Sequence, residues 1–464
     1  MIRGILLLLL TVFAPPPLPE PIEEKPVRFE VPKPRRAVLP NGVVIYMMND
    51  RTLPTIEISA IFNVGTAADP DGLGGLAEVT AEAVRSGGAG ERNGDLFEAA
   101  LADRAALIEH DVGADITRFS VWSPARGMED ALALFADLLR RPRLAGAAVR
   151  TARERRAEEL RRENDDPATL VFREFTRELF HGHAYGNWPT EEGLKRMGRG
   201  QVREFYDAHY SPASLTLTAA GDFDADELVD RLKSLFGDWK PASPAEIGVS
   251  DSEVLTGEDR PEGGSAPEGA NATKWAERTV VARVLSQSTF VFGHRGPGWD
   301  HPDLPAFDVL LEILSYYRYF LDVRDNHGLA YAAFGYFDER REGGFFASFA
   351  GTRAESTEET IALMRRHFDE VAAGKFTDEE AQGARRFVSA SFVHRFGSSA
   401  RAVREFATAE IRDLPSDWLT SYTRRVEALR PDDLRRVARE YLHPDDLLLV
   451  IVGDPEQVDP ALRP

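Results

Sequence analysis

A chain of 464 residues exceeds what one hydrophobic core usually serves, so the length points to more than one domain. With 43% hydrophobic, 28% charged and 9% aromatic residues, the composition is globular and excludes a disordered or membrane-embedded chain. An excess of 76 acidic over 56 basic residues gives a formal charge of −20, which argues against broad affinity for nucleic acid or anionic lipid surfaces, and the lack of cysteine excludes disulfides, thiolate metal sites and thiol nucleophiles.

Met1-Ile-Arg-Gly, the apolar run Ile5 to Leu10 and the small residues near Ala14 have the pattern of an export signal. A run of about ten apolar residues falls short of the roughly 20 that span a bilayer. The expectation is an exported protein of the periplasm or cell envelope, not an integral membrane protein, with residues 1–20 as signal and start of the leader. Folded structure is expected from 28, after a Pro- and Glu-rich stretch.

Leu39-Pro40-Asn41-Gly42 reads as a turn, Val43 to Met47 as an apolar strand, and the alternating Ile56, Ile58, Ala60, Phe62 and Val64 as a half-buried strand. Together they predict a β-hairpin or meander. Helical spacing follows over 75–85, 96–110, 128–139 and 147–163. Residues 243–277, rich in Pro, Gly and acidic side chains, read as a flexible acidic linker between domains over 28–242 and 278–464. The linker is expected to let the two parts open.

An internal repeat flanks that linker. Tyr210-Ser-Pro212 precedes an apolar strand ending at Gly221-Asp222, and Tyr441-Leu-His-Pro444 precedes one ending at Gly453-Asp454, with the same proline-to-glycine spacing. The predicted fold class is α+β. Two homologous domains, each a mostly antiparallel sheet packed by helices, form a clam-like pair.

Val64-Gly65-Thr66, an acidic-Gly turn and then Gly75-Leu76-Ala77 opening a helix resemble the start of the active-site helix of pitrilysin/insulinase-type metallopeptidases. The likeness continues through Arg155 to Pro167, Leu179 to Gly186, Tyr210 to Asp222, and Val323 to Tyr331. It covers about 400 residues with the blocks in the family's order.

In active members that helix carries H-x-x-E-H, two zinc-binding His with a Glu as general base, and a third ligand Glu lies downstream. Here the His, Glu and His positions fall on Glu78, Ala81 and Glu82, and the downstream Glu on Glu158 or Glu159. Zinc prefers imidazole and thiolate, and a methyl group takes no proton from water. The chain is therefore expected to hold no zinc and no catalytic residue of its own. A cluster of Glu78, Glu82 and Glu159 leaves a hard cation open as a ligand; the plainer reading is solvated carboxylates on an exposed helix face. His181 and His183 are expected to be structural.

The resemblance also implies that an Arg and a Tyr seven residues apart, here Arg324 and Tyr331, reach the zinc site of another subunit, bind substrate backbone and stabilise developing charge. The family's Gly-rich turn before that Arg is replaced by Ser315-Tyr316-Tyr317-Arg318-Tyr319, an aromatic surface or core. The function implied is a non-catalytic subunit of a zinc metallopeptidase heterodimer. Its partners would be a zinc-bearing paralogous subunit and peptide substrates. A structural scaffold resembling respiratory core subunits and a stand-alone metalloendopeptidase with atypical ligands are the alternatives.

Overall fold

Largely apolar strands build two main sheets, and a computed structural model describing residues 29–240, 275–283, 285–455 and 458 shows how they are laid. The expected signal and nearly all of the linker lie outside those residues. The first half opens with β1 (Arg35–Val38), β2 (Val44–Asn49), β3 (Thr55–Phe62), α1 (Leu76–Ser86), a small hairpin of β4 (Gly88–Ala89) and β5 (Arg92–Asn93), and α2 (Gly94–Ala102). It goes on with β6 (Leu107–Val112), β7 (Thr117–Pro124), α3 (Met128–Arg140), α4 (Gly146–Asp165) and α5 (Pro167–Leu179), then α6 (Glu191–Arg196), α7 (Arg199–His209), β8 (Leu215–Gly221) and α8 (Ala225–Phe236). The second half carries β9 (Glu277–Ala282), β10 (Gln287–Arg295), α9 (Leu304–Glu312), a π-helical continuation over Ile313–Asn326, β11 (Ala330–Asp338) and β12 (Phe345–Arg353). It ends with α10 (Thr357–Ala372), α11 (Asp378–Ser391), α12 (Ser399–Ile411), α13 (Trp418–Ala428), α14 (Pro431–Tyr441) and β13 (Leu448–Gly453).

The strand orders are β1-β2-β8-β3-β7-β6 and β11-β12-β10-β13-β9. Reversed and without β1, the first is the second over again. Each has a single parallel pair, β2 with β8 and β13 with β9, among antiparallel ones. The repeated Pro-to-Gly blocks are the inner strands β8 and β13, so the chain is α+β with two homologous halves. Every residue of β13 is buried, and so is every residue of β8 but the terminal Gly221, which explains why apolar runs without alternation sit inside each sheet.

Two expectations fail on pairing. The strands expected to pair, β2 and β3, do not, because β8 inserts between them, and the Leu39–Gly42 turn instead joins β1 to β2 in an antiparallel hairpin. The helix expected over 96–110 stops at Ala102, and after a turn in which Ala105 takes a φ of 48° the chain becomes strand β6. Leu107, Glu109 and Asp111 face solvent while Ile108 is buried, a two-residue period that pairing with β7 imposes over helical spacing.

From Val31 onward the chain is one compact unit, and a reciprocal loan of helices explains why. Helix α5 packs on the second sheet, where Leu170, Val171 and Phe175 share a buried cluster with Val291, Phe345 and Val450. Helix α12 packs on the first, with Val403 and Ala407 against Tyr46, Ile61 and Ala220. Opening the halves at a linker, as the sequence suggested, would expose both clusters, and each large apolar side chain in them is worth about 1.5–3 kcal/mol. A polar clasp adds to this: Tyr185 Oη donates to Asp115 at 2.8 Å, and the Arg341 backbone N–H donates to the other oxygen of Asp115 at 3.2 Å.

Candidate functional site

Local sequence fixes where α1 starts. A Cβ on Gly65 would lie 2.2 Å from the Gly113 carbonyl oxygen, so only glycine lets the chain leave β3 there. The buried Asp69 carboxylate accepts from the Gly75 and Ala77 backbone N–H groups at 2.7 Å each and satisfies two of the helix's unpaired donors. The helix then buries Leu76, Ala77, Val79, Thr80, Ala81, Ala83 and Val84, leaving Glu78 and Glu82 toward α4.

Glu78, Glu82 and Glu159 do meet, in a cleft of about 210 Å³ that Arg155, Arg156 and His110 also line. Ala81 is fully buried in the core. Glu158, the alternative third position, is exposed and pairs with Arg161 and Arg162. The carboxylates are not the solvated face that the sequence allowed, because α4 places a guanidinium on each. Arg156, only 6% exposed, donates to Glu78 at 2.6 Å and to Glu163 at 3.0 Å. Arg155 donates to Glu82 and to Glu159, both at 3.1 Å.

Burial pushes the Glu78 carboxyl up against the pull of Arg156, and does the same to Glu82 against Arg155 and Arg85. Although burial opposes it, Glu78 and Glu163 hold the Arg156 guanidinium above its ordinary value. His110 has its Nε2 3.8 Å from Glu82, and burial, with Arg85 and Arg155 adding to it, pushes its imidazole down toward the neutral form.

This donor set does not fit a zinc ion. The helix positions offer carboxylates in place of imidazoles, each carboxylate is already bonded to a cation, and no base stands at position 81. Nor does the cluster suit a hard cation, since a divalent ion would have to displace Arg155 and Arg156. Among the described residues no group of three or more His, Asp or Glu is arranged to hold a metal ion.

Arg324 and Tyr331 lie together in a second, open cleft of about 500 Å³ with Gln287, Phe349 and Arg353. The π-helical stretch ends just after Arg324, and Tyr331 stands at a bulge in β11, the outermost strand of its sheet. Tyr331 is 85% exposed, and the Arg324 guanidinium sits 5.2 Å from its ring and 4.9 Å from that of Phe320. The nearest carboxylate to Arg324 is Asp325, at 3.9 Å. A phenol and a guanidinium held side by side in solvent offer several hydrogen-bond donors to a carbonyl oxygen. The tyrosines of 316–319 divide: Tyr319 is buried and shares a 2.8 Å hydrogen bond with Ser348 Oγ, whereas exposed Tyr316 stacks on Phe320.

Sequence reasoning missed Arg155, Arg156, His110 and Phe320. The i, i+4 spacing of Arg155 with Glu159, and of Tyr316, Phe320 and Arg324, was the available signal. His183 is structural: its Nδ1 accepts from the Tyr185 N–H at 3.2 Å, and its Nε2 lies 3.3 Å from Glu342.

Residues 196–388 match the family model of the peptidase M16 inactive domain. A Streptomyces coelicolor protein named an uncharacterized zinc protease is 25% identical over 295 residues, which span 61% of this chain and 60% of its own length. The peptidase M16 inactive domain from Pseudomonas fluorescens has a similar fold, with TM-score 0.78 and 19% identity over 92% of this chain and 99% of that one. The periplasmic protease PqqL from Escherichia coli matches with TM-score 0.72 and 15% identity over 92% of this chain and 46% of its own. Over residues 196–388 the chain is thus similar to the inactive domain of M16 peptidases, the pitrilysin/insulinase type, and it shares its fold with solved structures of that type.

Proposed function

We propose that the chain is the non-catalytic subunit of an exported metallopeptidase heterodimer, in which a paralogue supplies zinc and this chain supplies peptide binding and part of the chamber wall. One contrast carries the reading. The cleft where family members hold metal is neutralised by Arg155 and Arg156, while Arg324 and Tyr331 stay exposed and ungripped by any carboxylate closer than 3.9 Å. A chain that had lost all use for peptide would have no reason to keep an arginine stacked on an exposed tyrosine beside an open edge strand. Since the halves are locked by exchanged helices, substrate would enter between subunits and not between halves of one chain.

The test is purification of the tagged protein from its own cell envelope, followed by peptide cleavage. A stoichiometric paralogue carrying H-x-x-E-H is expected, with chelator-sensitive activity in the complex and none in the isolated chain. Arg324→Ala or Tyr331→Phe should lower activity without changing assembly. A lone chain would refute the subunit role and leave a scaffold. Chelator-sensitive cleavage by the isolated chain would refute the loss of catalysis.

A further inference from the structure

Four arginines converge on an open cleft of about 710 Å³ at the start of α4, a local excess of positive charge on a chain whose formal charge is −20. Arg141 and Arg143 come from the connection between α3 and α4, and Arg199 and Arg203 from the first turns of α7. No acidic residue lines the cleft. Outside the lining, Arg141 pairs with Asp137 at 2.5 Å, and Arg203 more loosely with Asp207 at 3.4 Å.

Among the described residues, Arg143 and Arg199 have no such partner. Arg143 donates to the Gly90 carbonyl at 3.1 Å, and Arg199 Nε to the Leu144 carbonyl at 2.9 Å. Each spends a single N–H on fixing its position and keeps its other donors for something else. The first turn of α4 adds to this: Gly146 lines the cleft, no side chain caps the helix and no acidic residue stands in its first turn. Like charges brought this close repel, and Asp137 beside Arg141 and Asp207 beside Arg203 offset only part of that repulsion.

We propose that this cleft binds a phosphate-bearing ligand, either free or as a headgroup at a surface. Arginine's planar fork holds a phosphate through two parallel hydrogen bonds, which a lysine cannot do. A phosphate also brings more negative charge per group than a carboxylate, in keeping with four cations around one space. The site is separate from the neutralised metal cradle. Arg155 lies nine residues further along α4, about 14 Å at 1.5 Å per residue.

The test is calorimetric titration of the full chain with inorganic phosphate and with tripolyphosphate, alongside flotation with phosphatidylglycerol or phosphatidylcholine vesicles. Saturable binding that weakens with salt is expected. The double variant Arg143→Ala/Arg199→Ala should lose about tenfold or more in affinity, whereas exposed Arg150→Ala, outside the cleft, should change it less than about twofold. Both cleft arginines are exposed, so an unchanged melting temperature will show that the variant folds. Binding of soluble polyphosphate identifies a free ligand; binding to phosphatidylglycerol vesicles alone, with the same dependence on the arginines, identifies a headgroup. No binding in either form, or binding indifferent to the double variant, overturns the proposal. A Glu-rich peptide binding more tightly than tripolyphosphate would overturn the phosphate assignment in favour of an acidic protein segment.

Discussion

Helix α1 and the helix that runs from α9 to Asn326 hold the same place in their halves. Each follows a sheet strand, β3 or β10, and precedes an outer pair, β6 with β7 or β11 with β12. Their charged residues have met opposite fates. On α1, Glu78 and Glu82 are covered by arginines of α4 and form an ion-pair network with them. On the other helix, Arg324 ends in solvent, stacked beside exposed Tyr331.

The halves also differ in what they lend. Helix α5 gives the second sheet a fully buried phenylalanine, Phe175, whose ring meets Phe345 edge-on at 5.6 Å, while α12 gives the first sheet Val403 and Ala407. Phe175→Ala is expected to cost about 4 kcal/mol in urea unfolding and Val403→Ala about 1–2. Equal losses would mean that the two loans are energetically alike despite their chemistry.

Next in size is the neutralised cradle. Arg156→Ala would leave Glu78 and Glu163 in a half-buried site without their cation, and a loss of about 3 kcal/mol is expected. An unmoved unfolding midpoint would show that the network carries no stability and would reopen the cleft as an ion site. Arg324→Ala makes the contrast. Its side chain is exposed, so stability should shift by less than about 0.5 kcal/mol. The peptidase activity of the reconstituted assembly should instead fall about tenfold or more in kcat/KM, the loss expected when a donor to developing charge is removed. If Arg324→Ala destabilised the chain and left activity alone, the two sites would have exchanged roles.

How much of this was legible follows from the range of each interaction. The repeat and the fold class are written in local patterns, and Arg324 and Tyr331, seven residues apart in sequence, are also neighbours in space. Strand β8 entering between β2 and β3 is a long-range pairing that alternation does not encode, and so is the crossing of α5 and α12. Arg155 and Arg156 were hidden for another reason. In a run as charged as 147–163, nothing local separates the guanidinium that α4 turns inward onto Glu78 from those left in water.

The smallest effect tests what happens when a buried carboxylate lacks a cation at bonding distance. Glu78 has Arg156, whereas Asp308 of α9 has as its hydrogen-bond partner the Tyr422 hydroxyl. Burial pushes the Asp308 carboxyl up to about 6 from an ordinary value near 3.8, with the Tyr422 bond and the more distant Arg395 guanidinium opposing the rise and Glu339 adding to it. Between those values the folded state binds more protons at this group than the unfolded chain does. Asp308 therefore costs stability at neutral pH, and the cost is relieved as pH falls through about 6 toward 4. Comparing wild type with Asp308→Asn, whose amide keeps a partner for Tyr422 and cannot titrate, removes the histidines and other carboxylates that change stability over the same range. Urea unfolding should show wild type gaining about 1 kcal/mol on the variant between pH 7.5 and pH 5. Parallel curves would mean that Tyr422 stabilises the charged carboxylate as well as a guanidinium would, and the contrast with Glu78 would then rest on hydrogen bonding and not on charge.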